Sequence, residues 1–523
     1  VAGTAAIVAG VAEHVRMYVS ASDMDYMLVG MGWSASMLAA MVLVVAGVVL
    51  AGWSLLAPSG PARAAVDEPV RLQSITVTRA HLLLWAASIV ALAIDVMKPA
   101  TIGFVLPGLR DEYGISKGHA SLLPLIALTG TAVGSLLWGS VADRYGRRPA
   151  LLLAGLLFIA TSICGAMPTF DGNLTMCWCM GLSAGGFLPV MLTLVAELAP
   201  RRWRGFAVVG VSGLGAAIGY LAASGLSTLL IPHYGWRIMW LIGLPSGLLL
   251  ISLRGAIPES LRYLALTGRD DEAQDVVRRF QLVPAPALDV PARASAPRPG
   301  PTAKAPTLWS SRRENLGGLT IGLAVYGISW GLVNFGFLTW LPTLLGDRGS
   351  QEDIRRALAG AAVASLPGAL AVAVLYQRWS AMGSLKVAAL AVAAMLAAFC
   401  AVDASTTSAT FVIALVVLLV ALNGMSAILL PYAAEVYPTE LRGRGTGLAA
   451  AGMKFGGIAG TLFVGIAVAQ GLSLALIAVL LIGPVLAGLA WVSRTGVETR
   501  GRDLTDRLRE PVAELAGGSD EAR

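Results

Sequence analysis

Along most of its length the chain runs in blocks of about 20 apolar residues, the length at which a helix crosses roughly 30 Å of hydrocarbon, and short stretches between them carry the charge. Twelve blocks fall at approximately 82–108, 120–142, 149–168, 174–199, 207–230, 234–255, 316–345, 355–376, 385–402, 409–432, 445–469 and 471–493. A thirteenth, Trp33 to Ala57, precedes them and is also long enough to span. None alternates polar and apolar residues as a membrane β-barrel wall would, so the pattern predicts an all-α integral membrane protein.

Composition points the same way. Of 523 residues, 56% are hydrophobic and 13% charged, and a mean hydropathy of +0.73 fits no soluble globular class. The formal charge of +7 sits in alternate loops rather than on one face of a soluble domain, which argues for topology and against nucleic-acid binding. Arg63, Arg71 and Arg79 precede the first body helix, Arg144, Arg147 and Arg148 follow the second, and Arg201, Arg202 and Arg204 follow the fourth. Arg262, Arg269, Arg278, Arg279, Arg312 and Arg313 occupy the long central loop, with Arg442, Arg444, Arg494, Arg500 and Arg502 later. The positive-inside rule makes these loops, and both ends of the twelve-helix body, cytoplasmic in a multi-pass cell (inner) membrane protein.

The run at 33–57 reads as an accessory spanning helix in preference to an interfacial one. It would put the extreme N-terminus outside, beside the acids Asp23 and Asp25, and acids in that place argue against a cleaved signal peptide. Cys164, Cys177, Cys179 and Cys400 all lie within predicted spans, where they suggest neither a disulfide framework nor a metal site. No cofactor is expected.

A charged stretch, 256–315, separates an N-terminal half (82–255) from a C-terminal half (316–493), with an extension at 1–81 and a cytoplasmic tail at 494–523. Ser260 to Phe280 has the spacing of a surface helix, and Val283 to Pro306 reads as a mobile linker. The halves repeat: Glu197-x-x-Pro200-x-x-x-Arg204-Gly205 recurs 238 residues later as Glu435-x-x-Pro438-x-x-x-Arg442-Gly443, each copy ending the fourth span of its half. Duplicated membrane halves place a substrate site between them near the midplane.

Gly139-Ser-Val-Ala-Asp143-Arg144-Tyr-Gly146-Arg147-Arg148, between the second and third spans, resembles the signature loop of the major facilitator superfamily. The resemblance implies two pseudo-symmetric six-helix bundles that rock about a central site. It also implies that Asp143 latches onto the positive N-terminal end of the eleventh helix in one conformation and releases it in the other. The second-half counterpart, Tyr376-Gln377-Arg378-Trp379, has Gln377 where an acid is expected, which predicts a one-sided latch. Pro258-Glu259-Ser260-Leu-Arg262-Tyr263 and Val497-Glu498-Thr499-Arg500-Gly501-Arg502 are similar to motifs of the sugar-porter branch and its metabolite–proton relatives. Glu197 and Glu435, facing Arg204 and Arg442 across one loop each, read as structural ion-pair partners in preference to proton carriers.

Ionisable groups deep in a span are costly and usually line a cavity, which singles out Asp95, Lys98 and Lys454. Asp95-Val-Met-Lys98-Pro99-Ala-Thr-Ile-Gly103-Phe104 resembles the first helix of aromatic-acid/proton symporters, except that Lys98 replaces the second of two aspartates. Gly452-Met-Lys454-Phe-Gly456-Gly457 resembles their eleventh helix, and Cys177 stands where that family usually has an arginine. The resemblance implies proton coupling through Asp95, with the lysines receiving a carboxylate substrate. The alternative is that Asp95 and Lys98 neutralise each other to hold the kink at Pro99. Tyr326, Trp330 and Asn334, spaced by four, and Asn423 are further candidates for the lining, or else pack against lipid or a neighbouring helix.

These residues predict a secondary active transporter, not an enzyme, that moves a small organic anion with protons as a functional monomer in the lipid bilayer. Sugar or polyol uptake, drug efflux and a transporter-like sensor remain as alternatives.

Overall fold

The computed structural model describes residues 1–56, 72–74, 76–284, 316–345, 350–401, 409–437 and 441–499. The greater part of the linker, the loop at 346–349, Pro438 and the tail from Arg500 lie outside the described residues, as do the side chains of Asp143, Arg262 and Arg442.

Thirteen helices among the described residues are long and apolar enough to cross a membrane, each at a place the hydrophobic blocks mark. The N-terminal half comprises α3 (Arg79–Tyr113), α4 (Leu122–Tyr145), α5 (Arg147–Ala166), α6 (Phe170–Leu198), α7 (Arg204–Tyr234) and α8 (Ile238–Gly255). The C-terminal half comprises α10 (Leu316–Leu344), α11 (Gln351–Arg378), α12 (Ala381–Ala401), α13 (Ala409–Val436), α14 (Arg442–Ala469) and α15 (Leu474–Thr495). Between the halves, the expected single surface helix is broken by Gly268, whose φ of +69° ends Leu261–Leu266 before α9 (Asp270–Phe280) begins. Phe280 of α9 is fully buried edge-on to His81 at the start of α3, ring centroids 4.9 Å apart. Val283 and Pro284, expected to open the mobile segment, instead pair antiparallel with Gln73 and Leu72.

The N-terminal extension holds two helices where the hydropathy pattern marks one. α1 (Ala2–Ser20) lies antiparallel on α2 (Ala35–Leu55), the helix predicted at 33–57. Gly3 and Gly47 make this approach possible: a Cβ on either would stand 2.7 Å from the other's carbonyl oxygen. Glu13, His14 and Arg16 hide α1 from a hydropathy scan, but Ile7, Val11 and His14 are buried. The hairpin packs on α5, on the outside of the N-terminal half. Because α1 returns the chain across the same depth, Val1 stands at the opposite end of the hairpin from Asp23 and Asp25, which corrects the expected placement.

One end of the bundle carries the 143–148 loop, the surface helix and the basic turns; it is called the basic face below. At the other end Glu112 of α3 and Arg237, just before α8, form a buried ion pair at 2.8 Å. Arg237 also donates to the carbonyls of Gly165 and Met167, and Leu28 of the hairpin loop donates its backbone N–H to Glu112 at 2.9 Å. A charge pair so enclosed is tolerable because nearly every donor and acceptor on it is used.

Candidate functional site

The halves touch along two flanks. On one, α7 runs against α11 for its full length, because Gly210 and Gly213 face Ala373 and Ala369 while Gly215 and Gly219 take the α3 backbone on another side. Gly219 admits the carbonyl of Ala93 to within 2.6 Å of where its Cβ would be. On the second flank, the contacts of α4 with α14 among the described residues lie toward the end away from the basic face, where Gly465 lies against Ser121 and Gly457 against Leu128. There too α3 meets α10, Gly103 lying beneath the carbonyl of Thr339. At the basic end of the same flank a Cβ on Gly139 or Gly447 would meet nothing within 4 Å, and Arg144 and Arg444 are exposed. The interface is thus shut at one face and parts toward the basic face beside α4 and α14.

Asp95 sits at this interface, 8% exposed, and its Oδ1 is buried with no hydrogen-bond partner among the described residues. Pro99, four residues on, has no N–H to return to the Asp95 carbonyl, so the usual helical bond to that carbonyl is missing. Lys454 lies across the interface within electrostatic reach of the carboxylate. Its direction follows from the glycines around it. Gly452, Gly456 and Gly460 press α14 onto the backbone of Ala324, Ile328 and Leu332 in α10, and Lys454 is two residues, about 200° of turn, from the first two. It therefore points away from α10, toward the other half.

Lys98 goes elsewhere. It is fully buried inside the N-terminal half, where its Nζ donates to the Phe158 carbonyl at 2.7 Å and Thr161 Oγ1 at 3.1 Å and stands 3.9 Å from the centre of the Phe158 ring. The titratable groups nearest it are the neutral thiols of Cys164 and Cys177, not Asp95. The structure therefore gives no Asp95–Lys98 pair and no Lys98 in the cavity: the long stem carries the ammonium out to α5. The two departures from the aromatic-acid pattern, Lys98 and Cys177, prove to be neighbours. The Lys98 amine, carried in from α3, thus lies beside the α6 position that Cys177 holds.

Tyr326 also leaves the candidate lining. It is fully buried in the C-terminal half and donates its hydroxyl to the Leu385 carbonyl at 2.8 Å. Trp330 stays half-buried, with Nε1 donating to the Leu422 carbonyl at 2.8 Å and its ring edge-on to Phe335. Asn334 and Asn423 are half-buried, and neither side-chain amide has a hydrogen bond among the described residues. Residues Leu332–Leu338, which include Asn334, form a π-helical stretch, a wide turn that recurs at functional sites. On α7, Tyr220 presents a buried hydroxyl, without a hydrogen-bond partner among the described residues, beside Phe104. The sequence reading missed it, though a lone tyrosine in a glycine-rich helix was the available signal.

At the basic face the described charge groups of the two motifs make contacts beyond their own loops. Glu197 binds Arg147 of the signature loop through both oxygens. Glu435 accepts from Thr499 Oγ1 at 2.7 Å and lies within electrostatic reach of Arg204 from the other half. The two branch motifs do one job. Glu259 accepts the backbone N–H groups of Arg147 (2.7 Å) and Arg148 (3.2 Å) at the start of α5, and Glu498 accepts that of Ala381 (3.1 Å) at the start of α12. Each carboxylate thus satisfies orphan donors at the positive end of a third helix. Gly146, at φ +98°, permits the approach, since a Cβ there would meet Glu259 at 2.6 Å. Gln377 is equally occupied: it accepts from Phe206 N at 3.0 Å and donates to the Arg202 carbonyl at 2.9 Å, joining α11 to the start of α7.

Two helical bundles of like design, meeting around a midplane acid and base and open toward one face only, make a secondary transporter. The chain belongs to the Major Facilitator Superfamily, whose family pattern matches residues 83–461. It is 29% identical over 405 residues to the niacin transporter NiaP of Acinetobacter baylyi, covering 76% of this chain and 90% of that one. It is 30% identical over 405 residues to a gallate transporter of Pseudomonas putida (76% and 88% covered), and 30% identical over 376 to the 4-hydroxybenzoate transporter PcaK of Pseudomonas aeruginosa (70% and 82%). Among solved structures, the partially occluded inward-open xylose transporter XylE of E. coli superposes with a TM-score of 0.64 at 16% identity, over 82% of this chain and all of that one. That likeness concerns the fold.

Proposed function

We propose that this chain carries a small aromatic or other organic monocarboxylate across the inner membrane together with protons. The observation that supports it best is the Asp95–Lys454 couple: an interfacial carboxylate with an unpartnered oxygen, faced by an ammonium from the other half. With Asp95 ionised, the lysine's charge is occupied. A proton on Asp95 removes that attraction and leaves Lys454 to hold a substrate carboxylate, so acid and anion load together. Asn334, Asn423 and Tyr220 supply neutral hydrogen bonds, and the Trp330–Phe335 and Phe104–Tyr220 pairs supply flat apolar walls for a ring. Relatives named for niacin, gallate and 4-hydroxybenzoate support an aromatic acid over a sugar.

In this reading the basic face is cytoplasmic, as the arginine bias favours. The open flank then leads inward, and Asp143 meets the start of α14 when the cavity opens to the other side. The extension packs on α5, away from both flanks of the interface, which favours transport over a sensor whose extra helix covers the cavity.

The test is uptake by proteoliposomes under an imposed pH gradient, inside alkaline, of labelled nicotinate, gallate, 4-hydroxybenzoate and xylose. Wild type should accumulate at least one of the acids and not the sugar. Asp95→Asn should lose the dependence on the gradient, and Lys454→Met should lose uptake. Unchanged acid uptake in both variants, or a preference for xylose, would overturn the proposal.

A further inference from the structure

Gln377, which stands where the second-half loop is expected to carry an acid, takes no part in the transport site. It lies at the end of α11 on the basic face and ties the two halves together there. Its Oε1 accepts from Phe206 N at 3.0 Å, and its Nε2 donates to the Arg202 carbonyl at 2.9 Å. An ionised carboxylate could make the first bond but not the second, since it has no hydrogen to donate. Deeper in, the seam between α7 and α11 continues closed. A Cβ on Gly205 would meet Gln377 at 2.9 Å and Tyr376 at 3.2 Å, one on Gly210 the Ala373 Cβ at 3.7 Å, and one on Gly213 the Ala369 Cβ at 3.9 Å. Arg204, at the start of α7, is also within electrostatic reach of Glu435 in the C-terminal half. At the same face the other flank stands apart, with nothing within 4 Å of a Cβ on Gly139 or Gly447.

We infer that the α7–α11 seam is a hinge, latched at the basic face by the Gln377 carboxamide, and that the cavity opens to that face only between α4 and α14. Opening toward the basic face is the movement that would part this end of the seam, yet in the state seen here, open toward that face, the seam is shut. Closing the face brings the halves together and cannot part it either. The basic end of the seam therefore stays joined in both access states, and a symmetric rocking motion becomes a one-sided swing. Those two states are the ones of the transport reading, on which the hinge rests. An uncharged latch suits a joint that holds throughout, because the bonds of a carboxamide do not change with protonation.

Two engineered disulfides test it, in a full-length chain carrying Cys179→Ala and Cys400→Ala. Gly210→Cys with Ala373→Cys crosses the seam, and Gly118→Cys with Ala469→Cys crosses the closed face on the α4–α14 flank. The Cβ separations, 3.7 and 3.5 Å, both suit a disulfide. After oxidation, with each link confirmed by peptide mass spectrometry, proteoliposomes are assayed with whichever of the four solutes the wild type accumulates. The seam-linked protein should keep at least about half of the wild-type rate, as a joint that never parts requires. The protein linked across the closed face should lose uptake and regain it on reduction. The latch is read separately and needs no solute. Gln377→Leu removes both bonds and should speed maleimide alkylation of the buried thiol in Ala373→Cys by up to about 30-fold, the factor that corresponds to two bonds of ~1 kcal/mol each. Failure of the Gly210–Ala373 link to form, loss of uptake when it forms, or an alkylation rate untouched by Gln377→Leu would overturn the hinge. A wild type that accumulates xylose would overturn the carboxylate reading and leave every arm of this test in place.

Discussion

Gly103→Ala should tilt the equilibrium between the two access states. In the state seen here, a Cβ on Gly103 would lie 2.5 Å from the carbonyl oxygen of Thr339, whereas ordinary contact begins at 3.4 Å. The shortfall is 0.9 Å against backbone, which cannot swing aside as a side chain would. Overpacking of this kind costs about 1–3 kcal/mol. The gain in helix propensity from glycine to alanine is present in both states and cancels. The contact joins α3 of one half to α10 of the other at the closed face, so rocking open there relieves the clash. The ratio of states should therefore move about 5–150-fold toward access from that face, the span that 1–3 kcal/mol represents. Pulsed electron spin resonance between labels at Lys117 and Gln470, at the closed-face ends of α4 and α14, would read it as growth of a longer distance. Gly360→Ala, where the new methyl meets nothing within 4 Å, is the control and should leave the distribution alone. Identical distributions for wild type and Gly103→Ala would refute the assignment of this contact as an interface that must open.

Lys98→Met should fold with stability within about 2 kcal/mol of wild type, because losing a buried charge offsets losing its hydrogen bonds, and its substrate KM should not move. A tenfold rise in KM in transport assays would return Lys98 to the cavity. Glu259→Ala leaves two helix-start N–H groups unpaired and should cost roughly 1–3 kcal/mol in thermal or denaturant unfolding, with Glu259→Gln recovering part of it. Tyr326→Phe should lose about 1 kcal/mol with the bond to the Leu385 carbonyl and leave substrate preference unchanged in a competition assay.

Which residues cross the membrane was legible in the chain because the bilayer imposes a simple rule, about 20 apolar residues per crossing, that needs no partner. The exceptions show where the rule stops. α1 escaped because its polar residues lie among apolar ones on a helix whose buried face is made by α2, and close packing through Gly3 and Gly47 is a property of two segments together. The duplicated motif likewise revealed two halves but not its own contacts. Glu197 reaches Arg147 and Glu435 lies within electrostatic reach of Arg204, because a charge also pairs with what the fold brings beside it from elsewhere in the chain.

The sequence by itself therefore determined the class of fold, the number of body spans, the duplication and the presence of three charges in hydrocarbon, since cost in a bilayer is set by residue type. Only the tertiary structure decided where those charges point. Asp95 and Lys98 are three residues apart on one helix, about 60° of turn, and that difference with the reach of the lysine stem sends one to the interface and the other into the N-terminal bundle. Lys454 comes within electrostatic reach of Asp95 because glycines on its own helix fix α14 against α10 and turn the lysine outward. Direction depends on packing between helices far apart in the chain, and no local pattern encodes it.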